Sequence, residues 1–189
     1  MIKFIIFVMI ALPVLTFIIQ AIAKSNGKNK ALTALEGLKR EKGMQEYEYE
    51  QFDDGQIIVH DISNSMIWVV DTYGGWVGRS YKNIADVELI VDDAVEYKSS
   101  LSSSAGRAIV GGVLAGGVGA IVGGVTGKKN TSKVVHRIEL ILSYRNCTDI
   151  MYSRIILLDN PKGEPISSDR CIEEYESGLY WSKLISSLK

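Results

Sequence analysis

The residues able to move protons, hold metals or attack carbon are few in this sequence, and they are scattered. His60 and His136 are the two imidazoles, each in a strand-like stretch without a cysteine or carboxylate at metal-ligand spacing, which makes them structural or surface residues. Asp53-Asp54 and Asp92-Asp93 pair carboxylates, but both pairs fall at predicted turns, where aspartate is favoured because it bonds the nearby backbone. Ser99 to Ser104 is serine-rich without a placed base or a nucleophile elbow, and reads as a flexible hinge. Cys147 and Cys171 lie in different predicted elements at no zinc spacing and are expected as reduced thiols. Trp68, Trp76 and Trp181 are not interleaved with basic residues, so they read as core or rim aromatics rather than as a stacking platform. These patterns predict no enzyme, no metal, no cofactor and no nucleic-acid partner. The balance of 21 Lys and Arg against 22 Asp and Glu, a net charge of −1, agrees with the last of these.

The remaining candidate for chemistry is the glycine-rich run Gly106 to Gly127, closed by Lys128 and Lys129. Glycine loops cradle phosphates, but this one has Val122 where a Walker A loop needs its first glycine, and Lys129 where the magnesium-binding hydroxyl belongs. The dinucleotide pattern fails as well, because Gly117-Val118-Gly119 is followed by Val122 at the third glycine position. Helix packing explains the run better. Ala108, Gly112, Gly116, Ala120 and Gly124 recur every fourth residue, the small-xxx-small spacing that lets helices approach backbone to backbone, and no residue from Ala108 to Gly127 is charged. The run is a glycine zipper.

The elements around the zipper follow from periodicity. Phe4 to Ala23 is apolar apart from Thr16 and Gln20, and at about 1.5 Å per residue a helix of that length crosses the roughly 30 Å of a bilayer core. A cleaved signal peptide competes with that reading, given Lys3 and the small residues Ala21-Ile22-Ala23. The length of the run and the basic residues that follow, Lys24, Lys28, Lys30, Lys39, Arg40 and Lys42, favour an uncleaved anchor over 1–23 with the rest of the chain on the cytoplasmic side. A basic linker and short helix over 24–44 come next, with Leu32, Leu35 and Leu38 on one side.

From Gln45 the period changes to two. Strands are predicted around Tyr47 and Tyr49, then over 56–62, 66–71, 76–81, 87–91 and 95–97, with Asp54-Gly55 and Gly74-Gly75 as turns. Two more follow the zipper over 134–142 and 151–158, before Asn160-Pro161-Lys162-Gly163 breaks the chain. Asp169 then caps an amphipathic helix that presents Ile172, Tyr175, Leu179, Leu184, Ile185 and Leu188, weakly interrupted by Gly178. The expected class is α+β, mainly β: a barrel or sandwich over 45–189, capped by the C-terminal helix and interrupted by the insert 105–129. If both halves build one domain, the insert must leave and return on the same side of any membrane. Its twenty-odd residues then form a short helical hairpin that dips into one leaflet, packs on another copy, or packs on the N-terminal helix. Arg107 at one mouth, with Lys128 and Lys129 at the other, suits two ends at one membrane surface, as Lys24, Lys28 and Lys30 do beside the anchor.

Arg107 to Lys129, RAIVGGVLAGGVGAIVGGVTGKK, resembles the insert of a group of bacterial and phage membrane-associated proteins. Its flanks, Ser80 to Asp92 and Val59 to Trp68, are similar to the strands that precede that insert. The resemblance covers about Val59 to Leu188 and implies a bacterial pleckstrin-homology-like fold, a bent antiparallel sheet closed by a helix, in a membrane-associated setting. It implies no catalytic or ligand-binding residues. The function expected is a membrane-anchored binding or scaffold module, its partners the lipid bilayer, other copies of the chain and a protein the sequence does not identify. A pore-forming or membrane-permeabilising protein is the alternative, although no polar row along the zipper would line a water path.

Overall fold

The computed structural model describes residues 2–98, 134–145 and 150–188; at 2–13, 17, 20, 95 and 97 the backbone alone is described. The zipper, with Arg107, Ala108, Gly112, Gly116, Ala120, Gly124, Lys128 and Lys129, and also Cys147, lies outside the described residues. A long helix α1 (Ile2–Lys42) precedes β1 (Tyr47–Gln51), β2 (Ile57–Asp61), β3 (Met66–Val70) and β4 (Trp76–Ser80), which form one antiparallel sheet in the order β1-β2-β3-β4. The second sheet has the order β6-β5-β7-β8, from β5 (Ile84–Val91), β6 (Ala94–Lys98), β7 (Val134–Arg145) and β8 (Ile150–Pro165). Helix α2 (Asp169–Ser187) closes the core.

Two apolar clusters hold these layers. Ile58, Ile67 and Val69 of the first sheet meet Val87, Leu89, Leu140, Leu142 and Leu157 of the second, with Cys171, Tyr175, Trp181 and Ile185 of α2. The opposite face of the first sheet, Ile57, Val59, Trp68 and Val70, packs on Ala31, Leu35 and Leu38 of α1. Burial on both faces is why β3 reads as an unbroken apolar run, and β2 as one over Ile57 to Val59, rather than as alternating patterns. The two sheets are also stitched at an edge. The Gln56 side chain donates to Arg154 O at 3.2 Å and accepts from Ile156 N at 3.1 Å, standing in for a strand partner of β8.

Several local expectations are corrected. The linker and separate short helix expected over 24–44 do not occur, because α1 runs unbroken from Ile2 to Lys42. Gly27 lets the helix pass Thr72, where a Cβ would lie 3.3 Å from the threonine Cβ, and the leucine stripe beyond it is buried against the sheet. The expected transmembrane span over 1–23 is not supported: among the described residues no helix is long and apolar enough to cross a membrane. Asn160 to Gly163 does not end β8 but bulges out of it: Val135 pairs with Glu164 and Arg137 with Asp159, leaving four residues opposite His136. The helix cap is Ser168, whose hydroxyl accepts from Cys171 N at 3.1 Å, with Asp169 in the first turn. The buried stripe of α2 also takes in Gly178 and Ser182, with Leu179, Leu184 and Leu188 half-buried against the core beside it.

Asp92-Asp93 is the two-residue turn between β5 and β6, with left-handed φ of 45° and 68°, the conformation that matches strand twist. Asp92 Oδ1 accepts from the backbone N–H of His136 at 2.8 Å and of Arg137 at 2.9 Å, fastening β7 where it faces the bulge of β8. Asp92→Ala is expected to lower stability by about 1–2 kcal/mol, since two backbone donors lose their acceptor. A urea titration followed by tryptophan fluorescence reads the shift in midpoint, and a wild-type midpoint would show that water replaces the carboxylate.

Candidate functional site

The apolar half of α1 leaves the domain at one pole, and the contacts there define the candidate site. The β1–β2 and β3–β4 turns lie at the same end of the first sheet, and α1 crosses over them. Gly55, at φ +102°, is needed twice, for its left-handed backbone and because a Cβ would sit 3.2 Å from Lys28 N. Beside it the Asp53 carboxylate gathers three cations. Lys24 Nζ lies 3.0 Å from Oδ2 and Lys28 Nζ 3.4 Å from Oδ1, while the Arg170 guanidinium donates to Oδ2. Arg170 also reaches Glu164 at 3.4 Å, so α1, the β1–β2 turn, α2 and β8 meet in one ion network.

This crowding sets the acidity of its members. Burial alone would raise Asp53, but the Lys24 hydrogen bond, followed by the charges of Lys24, Arg170 and Lys28, holds it below the usual range. Its neighbour Asp54 is pushed up to about 6 by burial, against a hydrogen bond from Gln56 N–H. Burial, then the charges of Asp53 and Glu50, pushes Glu174 up to about 7. A carboxyl raised on folding binds its proton more tightly in the folded state. Its stabilisation is therefore complete below about pH 4 and is lost as pH rises through 6 to 7. Asp53 acts with the opposite sign, its contribution being lost as pH falls below about 4. Wild type is expected to be more stable at pH 5.5 than at pH 7.5, and Glu174→Gln to flatten the difference. The shift of Glu174 would amount to about 3 kcal/mol unscreened, reduced to about 1 kcal/mol at this partly exposed position. Urea midpoints at the two pH values test this, and equal slopes for variant and wild type would refute it.

On the other side of α1, an open groove of about 510 Å³ lies between the helix and the β3–β4 turn, lined by Asn26, Asn29, Lys30, Thr33, Tyr73 and Trp76 among others. Tyr73 is 88% exposed and Trp76 38%, on a turn held by Asp71 Oδ1, which accepts from Tyr73 N and Gly75 N at 2.8 Å each. Above this pole, Val14, Leu15, Ile18, Ile19 and Ile22 are all about half exposed.

Of the basic residues predicted for a membrane surface, Lys24 and Lys28 are engaged with Asp53, and Lys30 is exposed at the groove. Sequence reasoning missed Asp53 as the hub. The turn composition gave a reason for an aspartate there but no indication of residues 24, 28 and 170 around it. His60 and His136 are placed as structural residues. His60 is buried with Nδ1 2.9 Å from Glu48 Oε1, and His136 lies 3.6 Å from Asp92. Trp181 is core and donates Nε1–H to Glu50 at 2.5 Å; Trp68 is core against α1; Trp76 is at the rim. Cys171 is a buried free thiol, raised to about 11 by burial first and by the charges of Glu164 and Asp92. Among the described residues no group of acidic, histidine and cysteine side chains is placed to hold a metal ion.

Two antiparallel sheets around one core, closed by a C-terminal helix, make a mainly β domain of the PH-like kind. The family described as glycine zipper containing PH domain matches residues 45–159, and the chain belongs to it. No curated protein and no solved structure matches the chain. PH-like domains are in general binding modules rather than enzymes, and no enzymatic family is indicated.

Proposed function

We propose that this protein is an interaction module that works at a membrane, with its contacts gathered at the pole where α1 leaves the domain. The apolar half of α1 enters lipid, and the glycine zipper provides a second membrane contact or a self-association element. One observation carries the reading: five large apolar residues of α1, Val14, Leu15, Ile18, Ile19 and Ile22, are about half exposed immediately beyond the Lys24–Asp53 collar. A helix apolar on all sides needs cover from lipid or protein. Tyr73 and Trp76 stand at the same level as Asn26 and Lys30, where amphipathic rings suit the headgroup region.

The test is flotation of the full chain with phosphatidylcholine–phosphatidylglycerol vesicles. Wild type is expected to float, and Ile18→Lys/Ile22→Lys to stay in the soluble fraction, since each lysine puts a charge on the apolar side proposed to meet lipid. Equal flotation of both, or of neither, would sink the proposal.

A further inference from the structure

We propose that the open groove between α1 and the β3–β4 turn holds the phosphodiester of an anionic phospholipid, with Lys30 and the side-chain amides of Asn26 and Asn29 as its donors. This rests on the reading above of the apolar half of α1 as a membrane contact, and it names the part of the membrane that the domain selects. One wall of the groove is α1, which lies outside the matched residues 45–159, so the site is not a feature of the matched domain alone.

Among the described residues the groove has a cation in its lining and no acid. Asn26, Lys30 and Thr33 follow one another at helical spacing along one side of α1, with Asn29 beside them, and all four are exposed. Thr33 turns its hydroxyl to Asn29 O at 2.9 Å. Lys30 makes no ion pair among the described residues, whereas Lys24 and Lys28 are held by Asp53. The facing wall brings the Tyr73 phenol and the Trp76 indole, each with a donor at its polar end. Asp71, the acid of that turn, accepts from Tyr73 N and Gly75 N at 2.8 Å each and so serves its own backbone. Gly74, at φ +93°, seats the turn on the helix, where a Cβ would lie 3.7 Å from Ala34 Cβ. Donors and a cation without an acid suit a ligand that is negative and only accepts, which describes a phosphodiester. A choline group would meet the Lys30 charge with no carboxylate to offset it. The groove also lies at the right depth. Asn26 is four residues beyond Ile22, about 6 Å along the helix, which is within the headgroup layer over a bilayer core. Lys30 is one turn further, and lysine stems lean toward a helix N-terminus, here the side of the lipid. A lipid brought in by α1 is therefore the occupant, rather than a phosphate in solution.

Partition of the full chain into vesicles tests this, comparing phosphatidylcholine alone with equal parts of phosphatidylcholine and phosphatidylglycerol. Wild type is expected to prefer the anionic vesicles. Lys30→Gln is expected to weaken that partition about fivefold, the share of one basic residue at a charged surface. Asn26→Ala/Asn29→Ala, which leaves the charge unchanged, is expected to weaken it by a similar factor through two lost hydrogen bonds to the phosphate. Neither variant should change partition into phosphatidylcholine. Glutamine and alanine are good helix formers at these exposed positions, so α1 is kept. An effect of Lys30→Gln alone would show diffuse surface charge rather than a site, and an effect of the amide pair alone would remove Lys30 from it. Equal partition of wild type into both vesicles, or a preference for phosphatidylcholine, would show that the groove selects no anion. Each of these outcomes overturns the proposal and leaves the membrane reading of α1 standing. Binding of wild type to neither vesicle overturns that reading, and the proposal falls with it.

Discussion

Gly178→Leu is expected to displace α2 and to remove most of the stability of the domain. Gly178 is buried where α2 crosses the second sheet, and a Cβ there would lie 2.5 Å from Leu89 Cδ1 and 2.8 Å from Leu157 Cδ2. Both leucines are fully buried in the main core, so they have no space into which to retreat. Ordinary overpacking costs about 1–3 kcal/mol, and a leucine has three carbons beyond the Cβ that already fails to fit, so the loss here is expected at about 4 kcal/mol. Against a typical total of about 5–15 kcal/mol, this leaves a marginal fold. The helix cannot slide to relieve the clash without pulling Trp181 from Glu50 and Tyr180 from Glu48, the bonds that tie α2 to β1. Gly178→Ala should fall between, because terminal methyl groups can rotate a little. Urea midpoints with Trp181 fluorescence as the probe check the series, and a Gly178→Leu midpoint equal to wild type would mean that α2 is not held at this distance.

The second large effect is expected at Gly78, on the opposite face of the first sheet. Gly78 stands across from Trp68 in the β3–β4 register, and a Cβ there would lie 2.2 Å from Trp68 Cε3, inside the ring. An aromatic ring covering a strand glycine is a stabilising pair, because the ring shields backbone that has no side chain of its own. Gly78→Val evicts the indole. That strips its Nε1–H from Asp61, a fully buried carboxylate otherwise served by Asn64, and takes away part of the surface on which Leu35 and Leu38 rest. The expected cost is about 3 kcal/mol, near the lower end of a buried tryptophan truncation. The signature is regional: amide exchange should accelerate over 31–38 of α1 more than in α2, since the α1 cluster is separate from the main core. Uniform acceleration in both helices would show that the two cores unfold together. Because α1 carries the proposed membrane contact, this variant should also loosen the domain from that contact without touching it.

The hairpins of this domain were legible in the sequence because their determinants are local. Asp54-Gly55, Gly74-Gly75 and Asp92-Asp93 are turns in the structure, and the runs between them pair with their chain neighbours. The unbroken α1 was less legible. Ser25 to Asn29 has poor helix formers, yet Lys24 and Lys28 are tied to Asp53, and Ala31, Leu35 and Leu38 pack on the sheet beyond that stretch. The bulge at Asn160 to Gly163 was hidden for a similar reason: breaker residues end a strand only when no partner holds the chain beyond them, and here Val134 and Val135 do. Nor could the sequence say which face of β1 meets α2. The tyrosines alternate with the glutamates, and it is Glu48 and Glu50 that receive the Tyr180 and Trp181 donors.

The sequence by itself determined a mainly β domain with a C-terminal helix, its hairpins, an apolar N-terminus and a glycine zipper, because period, turn chemistry and small-residue spacing act over a few residues. Only the tertiary structure decided that α1 covers the outer face of the first sheet, that Asp53 joins residues 24, 28 and 170, and that Gly78 and Gly178 are closed by a tryptophan and two leucines. These contacts join residues far apart in the chain, where side-chain shape and charge select a partner and periodicity carries no information about which one is met.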